Sequence, residues 1–162
     1  MELLSREELL AIGFHTVGEG VRVSRRAVFY VIDGSIGDGA RIDDFAIVTG
    51  RVEIGARSHI SPFCFLGATG GRIVLGEGVG FSTHVSVFTK SDDYQQQADG
   101  PRAKVEGDVL IGAHTIFGAQ CVILPGADVG PNCSIGVGCV IKDKVAAGGR
   151  YVSMGIRSVQ LP

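Results

Sequence analysis

No stretch of this chain approaches the roughly 20 apolar residues that cross a bilayer, although mean hydropathy is slightly positive, at +0.29. The start, Met1-Glu2, opens with an acid, and Arg6, Glu7 and Glu8 break up the apolar residues behind it. That pattern excludes a secretory leader as the expected role of this segment. Excess positive charge is missing too. The net charge is -2 over 162 residues, which argues against a nucleic-acid-binding surface. Proline is scarce, at 5 residues, and Gly does not recur at every third position, so a collagen-like rod is excluded. There are 4 cysteines and 4 histidines. Cys64, Cys121, Cys133 and Cys139 contain no Cys-x-x-Cys pair, and His15, His59, His84 and His114 stand far apart. Neither set has the spacing of a metal site. The expectation is no metal, four reduced core thiols and a cytoplasmic setting.

What the chain does have is an apolar residue every six positions. Toward the C-terminus the series runs Val105, Ile111, Phe117, Ile123, Val129, Ile135, Ile141. Earlier it runs Ile36, Ile42, Val48, Ile54, Ile60, Leu66, and after a slip Leu75, Phe81, Val87. A weaker start is Val17, Val23, Phe29. Four residues after most markers the side chain is small or β-branched, as at Ala40, Ser58, Cys64, Val85, Cys121 and Cys139. Period six is neither helical nor simple alternation. It is a repeat signature. Each hexapeptide predicts a short strand and a turn, and three of them close one triangular coil. One coil cannot bury its own faces, so stability must come from stacking on its neighbours. A β-sandwich, the runner-up fold, would not hold a locked six-residue register.

The expected domain is a single all-β solenoid over 1–162. Residues 4–13 predict a short N-terminal helix, with Ser5 and Glu8 as a capping box and Gly13 as its stop. The apolar side chains Leu3, Leu4, Leu9, Leu10 and Ile12 cap the top of the solenoid, so that 1–14 forms a lid. Slips at Asp33-Gly34-Ser35 and Ala68-Thr69-Gly70-Gly71 predict corner bulges. The repeat stops over residues 88–104, a polar stretch with three consecutive Gln and an Asp-Gly-Pro turn. It predicts a loop thrown out from one corner, of a length that usually serves function. Residues 142–162 close the C-terminal end.

The motif [Ile/Leu/Val]-Gly-x-x-[small]-x resembles that of the bacterial hexapeptide-repeat acyltransferases, and it covers about residues 15–145. Ile42-Asp43-Asp44-Phe45, Ser91-Asp92-Asp93-Tyr94 and Val122-Ile123-Leu124-Pro125-Gly126 are similar to the sugar and polysaccharide O-acetyltransferase branch. The resemblance implies a left-handed parallel β-helix, a homotrimer, acetyl-CoA as co-substrate and a sugar or polysaccharide precursor as acceptor. It places coenzyme A between subunits, near Ala113, Gly118-Ala119 and Gly136-Val137, with Lys142 and Arg157 toward its phosphates. It sets Asp43 and Asp44 near the acceptor, where their carboxylates accept hydrogen bonds from sugar hydroxyls.

A thioester-to-hydroxyl transfer calls for a base, most often His. The family's loop His falls at or beside Asp92, and no His lies between His84 and His114. Three substitutes remain: Asp92 or Asp93; His84, expected to stack on His114 at one corner; and His59, near a corner two coils above, which a neighbouring chain would bring to the loop. The tail Gly155-Ile156-Arg157-Ser158 also lacks the family's proline. Besides the O-acetyltransferase, two alternatives stay open. One is an N-acetyltransferase acting on a nucleotide-linked amino sugar. The other is a scaffold that has lost the loop His. A carbonic-anhydrase-type hydrolyase on this fold would require a His triad that is absent.

Overall fold

The structure is a computed structural model that describes residues 2–93 and 103–153. The predicted helix forms at Arg6–Ile12. Ser5 and Glu8 cap it reciprocally, and the Gly13 N–H closes on Leu9 and Leu10 carbonyls at a φ of 124°. Leu9 is buried, Leu4 and Ile12 are partly buried against the core, and Leu3 and Leu10 remain exposed. The lid is also tied down by polar groups. Glu8 accepts two hydrogen bonds from Arg25, at 2.7 and 2.9 Å, and Leu4 donates its N–H to the Val23 carbonyl.

Below the lid the chain winds as a parallel solenoid, as the six-residue period predicts. The markers sort into three walls. The first wall carries Val17, Ile36, Ile54, Leu75, Ile111, Val129 and Val145 in register. The second carries Val23, Ile42, Ile60, Phe81, Phe117, Ile135 and Tyr151. The third carries Phe29, Val48, Leu66, Val87, Ile123 and Ile141. These markers, Tyr151 excepted, make with the small residues four positions on one continuous core. All four cysteines are free and buried in it. Burial pushes the Cys64 thiol up to about 11.

Two corner columns adopt left-handed backbone at the third residue after the marker. Between the second and third walls these are Phe45, Phe63, His84, Gln120 and Gly138, with φ of 60–70°. Between the first and second walls they are Gly20, Gly39, Arg57, Gly78, His114, Asn132 and Gly148.

The repeat does not resume at Val105. Val105 is exposed and belongs to an antiparallel hairpin stem, Lys90–Asp92 against Lys104–Glu106. After Val87 the next wall residue is Ile111, so Ile111 stacks beneath Leu75, and Phe117 beneath Phe81. The stem leaves the corner between the third and first walls, where the upper strands Val28–Ile36, Ile47–Ile54 and Phe65–Leu75 run straight through. The slip at residues 68–71 makes room for it. A Cβ on Gly70 would fall 2.6 Å from that of Lys90, and one on Gly71 2.8 Å from the Gly107 carbonyl. Buried Thr89 anchors the exit: its Oγ1 donates to the Gly67 carbonyl at 3.0 Å and accepts from the Gly70 N–H.

Gly80, in the middle of the second wall, is different. Its φ is not left-handed, and a Cβ there would meet nothing closer than Ile116 Cγ2 at 3.4 Å. Every other described glycine either has a positive φ or would press a neighbour at 3.1 Å or less.

Two outcomes follow. Gly118→Ala would force a methyl to 2.6 Å from the Val137 nitrogen and should cost about 1–3 kcal/mol, whereas Gly80→Ala should stay within about 0.5 kcal/mol of wild type; urea midpoints measure both. The Glu8 carboxyl is lowered to about 2, first by the Arg25 hydrogen bonds and then by the Ser5 backbone N–H. A carboxyl lowered on folding stabilises at neutral pH, and loses that contribution as pH falls through its folded value. Wild type should therefore melt above Glu8→Gln at pH 7, and the gap should close as pH falls from the ordinary glutamate range through about 2.

Candidate functional site

Because the coils stack in register, functional side chains stand in columns. On the second wall the outward position before each marker reads Arg22, Arg41, His59, Gly80, Ile116, Ser134, Arg150. His59 thus lies one strand below Arg41 and one above Gly80. Both Arg41 and His59 turn toward Asp43, which follows Ile42 at the corner. Arg41 Nε donates to Asp43 Oδ1 at 2.5 Å, and His59 Nε2 stands 2.8 Å from Asp43 Oδ2. The Asp43 side chain is only 5% exposed, while that of His59 is 43% exposed. Burial alone would raise the Asp43 carboxyl; the hydrogen bonds from His59 and Arg41 outweigh it and hold the group below the usual carboxylate range.

The structure thus shows Asp43 bound to two side chains of its own protein, where the expectation set it near the acceptor. Both of its oxygens are committed inside the protein, and the exposed member of the pair is His59. Asp44 is engaged as well, accepting from Ser24 Oγ and from Arg26 Nη1 at 3.4 Å.

His84 and His114 do not stack. Counting Val105 as a wall residue shifts the register by one wall; with the hairpin removed, the two rings fall at different corners. His84 belongs to a ladder of exposed rings. Phe45 stacks on Phe63 at 5.2 Å between centroids, and Phe63 on His84 at 5.0 Å. The Thr83 hydroxyl donates to the Pro62 carbonyl at 2.8 Å and lies 2.8 Å from His84 Nδ1. The single hydroxyl hydrogen being used, His84 Nδ1–H donates to Thr83 Oγ1 and leaves Nε2 as the acceptor. His114 sits under Gly78, with its Nε2 3.8 Å from Glu77.

Asp92 and Asp93 end the first hairpin strand. Asp92 pairs with Lys104, and Asp93 donates its N–H to the Ala103 carbonyl. The hairpin borders an open cavity of about 330 Å³ at the corner between the third and first walls, lined by Ser91, Asp92, Asp93, Val105, Leu124, Pro125 and Lys142. The structure therefore brings Lys142 together with the hairpin acids, a grouping that hexapeptide counting does not reveal. Of the predicted coenzyme A residues, Gly118-Ala119 and Gly136-Val137 stack at the corner between the second and third walls. There the Gly118 N–H donates to the Ile135 carbonyl and the Gly138 N–H to the Ala119 carbonyl. Ala113 stands at the other end of the second wall, its carbonyl taking the Asn132 N–H. Arg157 lies outside the described residues. Among the described residues no group of His, Cys, Asp and Glu is arranged to hold a metal ion, and no helix is long and apolar enough to cross a membrane.

Sequence reasoning missed Arg41, Gly80 and the Asp43–His59 contact. The one available signal was glycine at a wall position where neither turn nor corner needs it.

Comparison with known proteins agrees with this architecture. The family described as "Bacterial transferase hexapeptide (six repeats)" matches residues 33–68 and 108–143. A dTDP-4-amino-4,6-dideoxy-D-glucose acyltransferase of Escherichia coli is 30% identical over 158 residues, spanning 91% of this chain and 82% of that protein. AntD, an N-acyltransferase from Bacillus cereus, in complex with dTDP and 3-hydroxybutyryl-CoA, superposes with a TM-score of 0.84 at 33% identity, over 98% of this chain and 88% of that one. A variant of AntD bound to dTDP-4-amino-4,6-dideoxyglucose and coenzyme A gives a TM-score of 0.83 at 31% identity, over 98% and 90%. A hexapeptide-repeat acetyltransferase of Vibrio cholerae, with a TM-score of 0.57 and 16% identity over 94% of this chain and 75% of that one, shares the fold. The chain belongs to the bacterial hexapeptide-repeat acyltransferases of left-handed β-helix fold, and it is an acyltransferase of sugar substrates with a coenzyme A thioester as co-substrate.

Proposed function

We propose that this enzyme transfers an acyl group from coenzyme A to the amine of a nucleotide-linked amino sugar. The observation that carries this is likeness along nearly the whole chain to N-acyltransferases whose acceptor is a dTDP-amino sugar. It favours the amino-sugar alternative over an O-acetyltransferase of polysaccharide. The chain's own residues agree. The AntD variants crystallised with nucleotide and coenzyme A change one serine and one aspartate ten positions apart, and Ser82 and Asp92 here have the same spacing.

The working unit of this proposal is a homotrimer. The outward columns of the three walls differ in chemistry. The first wall presents Thr16, Ser35, Glu53, Val74, Leu110, Asp128 and Lys144. The second presents the basic and polar column that holds His59. The third presents Val28, Ile47, Phe65, Ser86, Val122 and Val140. An apolar column of this length in water marks a surface that another chain covers. One edge of that wall is the corner of Ser82, His84 and Gly118-Ala119; the other throws out the hairpin. Packing the third wall against a neighbour carries Asp92 and Asp93 of one subunit toward the second wall of the next. The acceptor then lies between hairpin and second wall, with His59, His84, Asp92 and Asp93 within reach. Coenzyme A runs down the small-residue corner, past Ala119 and Val137, and the Lys142 that reaches its phosphates comes from the hairpin edge of the neighbouring subunit. Ala113 borders the polar first wall and falls outside this groove.

Thiol release from acetyl-CoA should be rapid with dTDP-4-amino-4,6-dideoxyglucose and negligible with the matching sugar that bears a hydroxyl at the same carbon. The opposite preference would return the O-acetyltransferase. Light scattering should give three times the 16.9 kDa chain mass. In calorimetry, Ala119→Trp should weaken coenzyme A binding at least tenfold while Ala113→Trp leaves it near wild type; equal affinity for all three proteins would move the groove elsewhere.

A further inference from the structure

We infer that His59, held by Asp43, takes the proton released by the acceptor amine, and that Gly80 is the bare floor on which the acceptor ring lies. This rests on the amino-sugar proposal and deepens it by naming the proton acceptor.

Three observations converge on the second wall. The first is the pairing. An ionised Asp43 is an acceptor only, so the contact at 2.8 Å requires the hydrogen on His59 Nε2. In the neutral ring that fixes the tautomer and leaves Nδ1, on a side chain 43% exposed, as the acceptor. No other hydrogen bond of the His59 ring is present among the described residues. The second is burial. Asp43 is locked by Arg41 and cannot swing away, so the ring's orientation is fixed before substrate arrives. The third is the space below. Gly80 sits directly under His59 in the ladder, and among the described glycines without a positive φ it is the one whose added Cβ would meet only ordinary van der Waals contact. A larger side chain at this outward position would project beneath the imidazole.

The other candidates lack one or more of these features. His84 has a fixed tautomer but no carboxylate partner, and one face of its ring is covered by Phe63. Asp92 is paired with Lys104. His15 contacts Asp33 at 2.6 Å, but both side chains are mostly exposed, at 71% and 61%, so that pair is not held in place.

The step balances without a further reactant. The amine nitrogen attacks the thioester carbonyl carbon, forming the C–N bond and pushing an electron pair onto oxygen. One N–H proton passes to His59 Nδ1. Collapse restores the carbonyl and breaks the C–S bond, and the departing thiolate takes the proton from the imidazolium. The products are the amide and free coenzyme A. Asp43 acts through His59, as a positioning residue that also balances the charge the ring acquires.

The test uses purified full-length enzyme with acetyl-CoA and dTDP-4-amino-4,6-dideoxyglucose. His59→Ala should lower kcat by about 10²–10⁴-fold, with thermal melting and coenzyme A affinity kept, and added imidazole should restore part of the rate. His59→Gln, which can still hydrogen-bond Asp43, should be equally slow. Asp43→Asn should lower kcat more than it changes the acceptor KM. Gly80→Leu should raise the acceptor KM, and His15→Ala should match wild type. The inference is overturned if His59→Gln keeps wild-type kcat, because a structural role alone would then suffice. It is also overturned if His59→Ala is slow but unresponsive to imidazole, or if His84→Gln shows the imidazole-rescued loss instead. A wild-type enzyme inert toward the amine overturns the amino-sugar proposal and this inference together, whereas an active wild type matched by the His59 variants overturns this inference alone.

Discussion

The parallel main-chain ladder between coils is the constraint on which everything else hangs. The His59 N–H donates to the Val79 carbonyl, Gly80 to Thr115, and Ile116 to Cys133, one coil to the next without slip. A buried N–H or C=O left unpaired costs more than a normal hydrogen bond contributes, so each coil must repeat the path of the one above. That requirement turns a linear period of six into three vertical stacks. It places a β-branched or aromatic side chain over its counterpart inside, and an unrelated outward residue over its counterpart outside. The inner stacks hold the molecule together. The outer stacks are free to diverge, and chemistry accumulates there: Arg22, Arg41, His59 and Gly80 share a column only because the ladder forbids slip.

The inner stacks were legible in the sequence. Marker and small-residue positions identify the core, the four cysteines among it, and the capping-box helix reads directly from Ser5 and Glu8. The failure at Val105 has a definite cause. Val105 fits the arithmetic of six, but a ladder register is set by hydrogen-bond partners, and Lys104–Glu106 finds its partner in Lys90–Asp92. One miscounted residue moved every later residue by one wall and falsely joined His84 to His114. The corner residues were less legible still. Period six locates Asp43 near a corner but does not say whether its carboxylate turns out to solvent or back under Arg41. That choice depends on two basic side chains, one in its own coil and one in the next, and no local pattern encodes it.

On the proposal of a trimer, the outward stacks leave a single prism with only part of the site. Two walls present charged or polar columns, while the third presents Val28, Ile47, Phe65, Val122 and Val140. The chain places its hairpin at one edge of that apolar wall and its ring ladder and small-residue corner at the other. A groove between two subunits can draw on both edges at once; one subunit cannot, because the width of the wall separates them. Sequestering the third wall and completing the acyl-transfer site are then the same event.

The missing loop histidine becomes intelligible on this view. A sugar hydroxyl is a weak nucleophile until a base has begun to remove its proton, so an O-acyltransferase depends on a base placed at the hydroxyl oxygen. An amine attacks through a lone pair it already has and gives up its proton as the bond forms. The demand on the protein shifts from generating the nucleophile to receiving a proton and holding the ring in line. A carboxylate-fixed imidazole on a rigid wall meets that demand from a different direction than a loop residue would, and it leaves the hairpin free to carry acids suited to an ammonium group. The chain's largest departure from its family's pattern is therefore what an amine acceptor would permit, and the second wall, on our inference, supplies the proton acceptor.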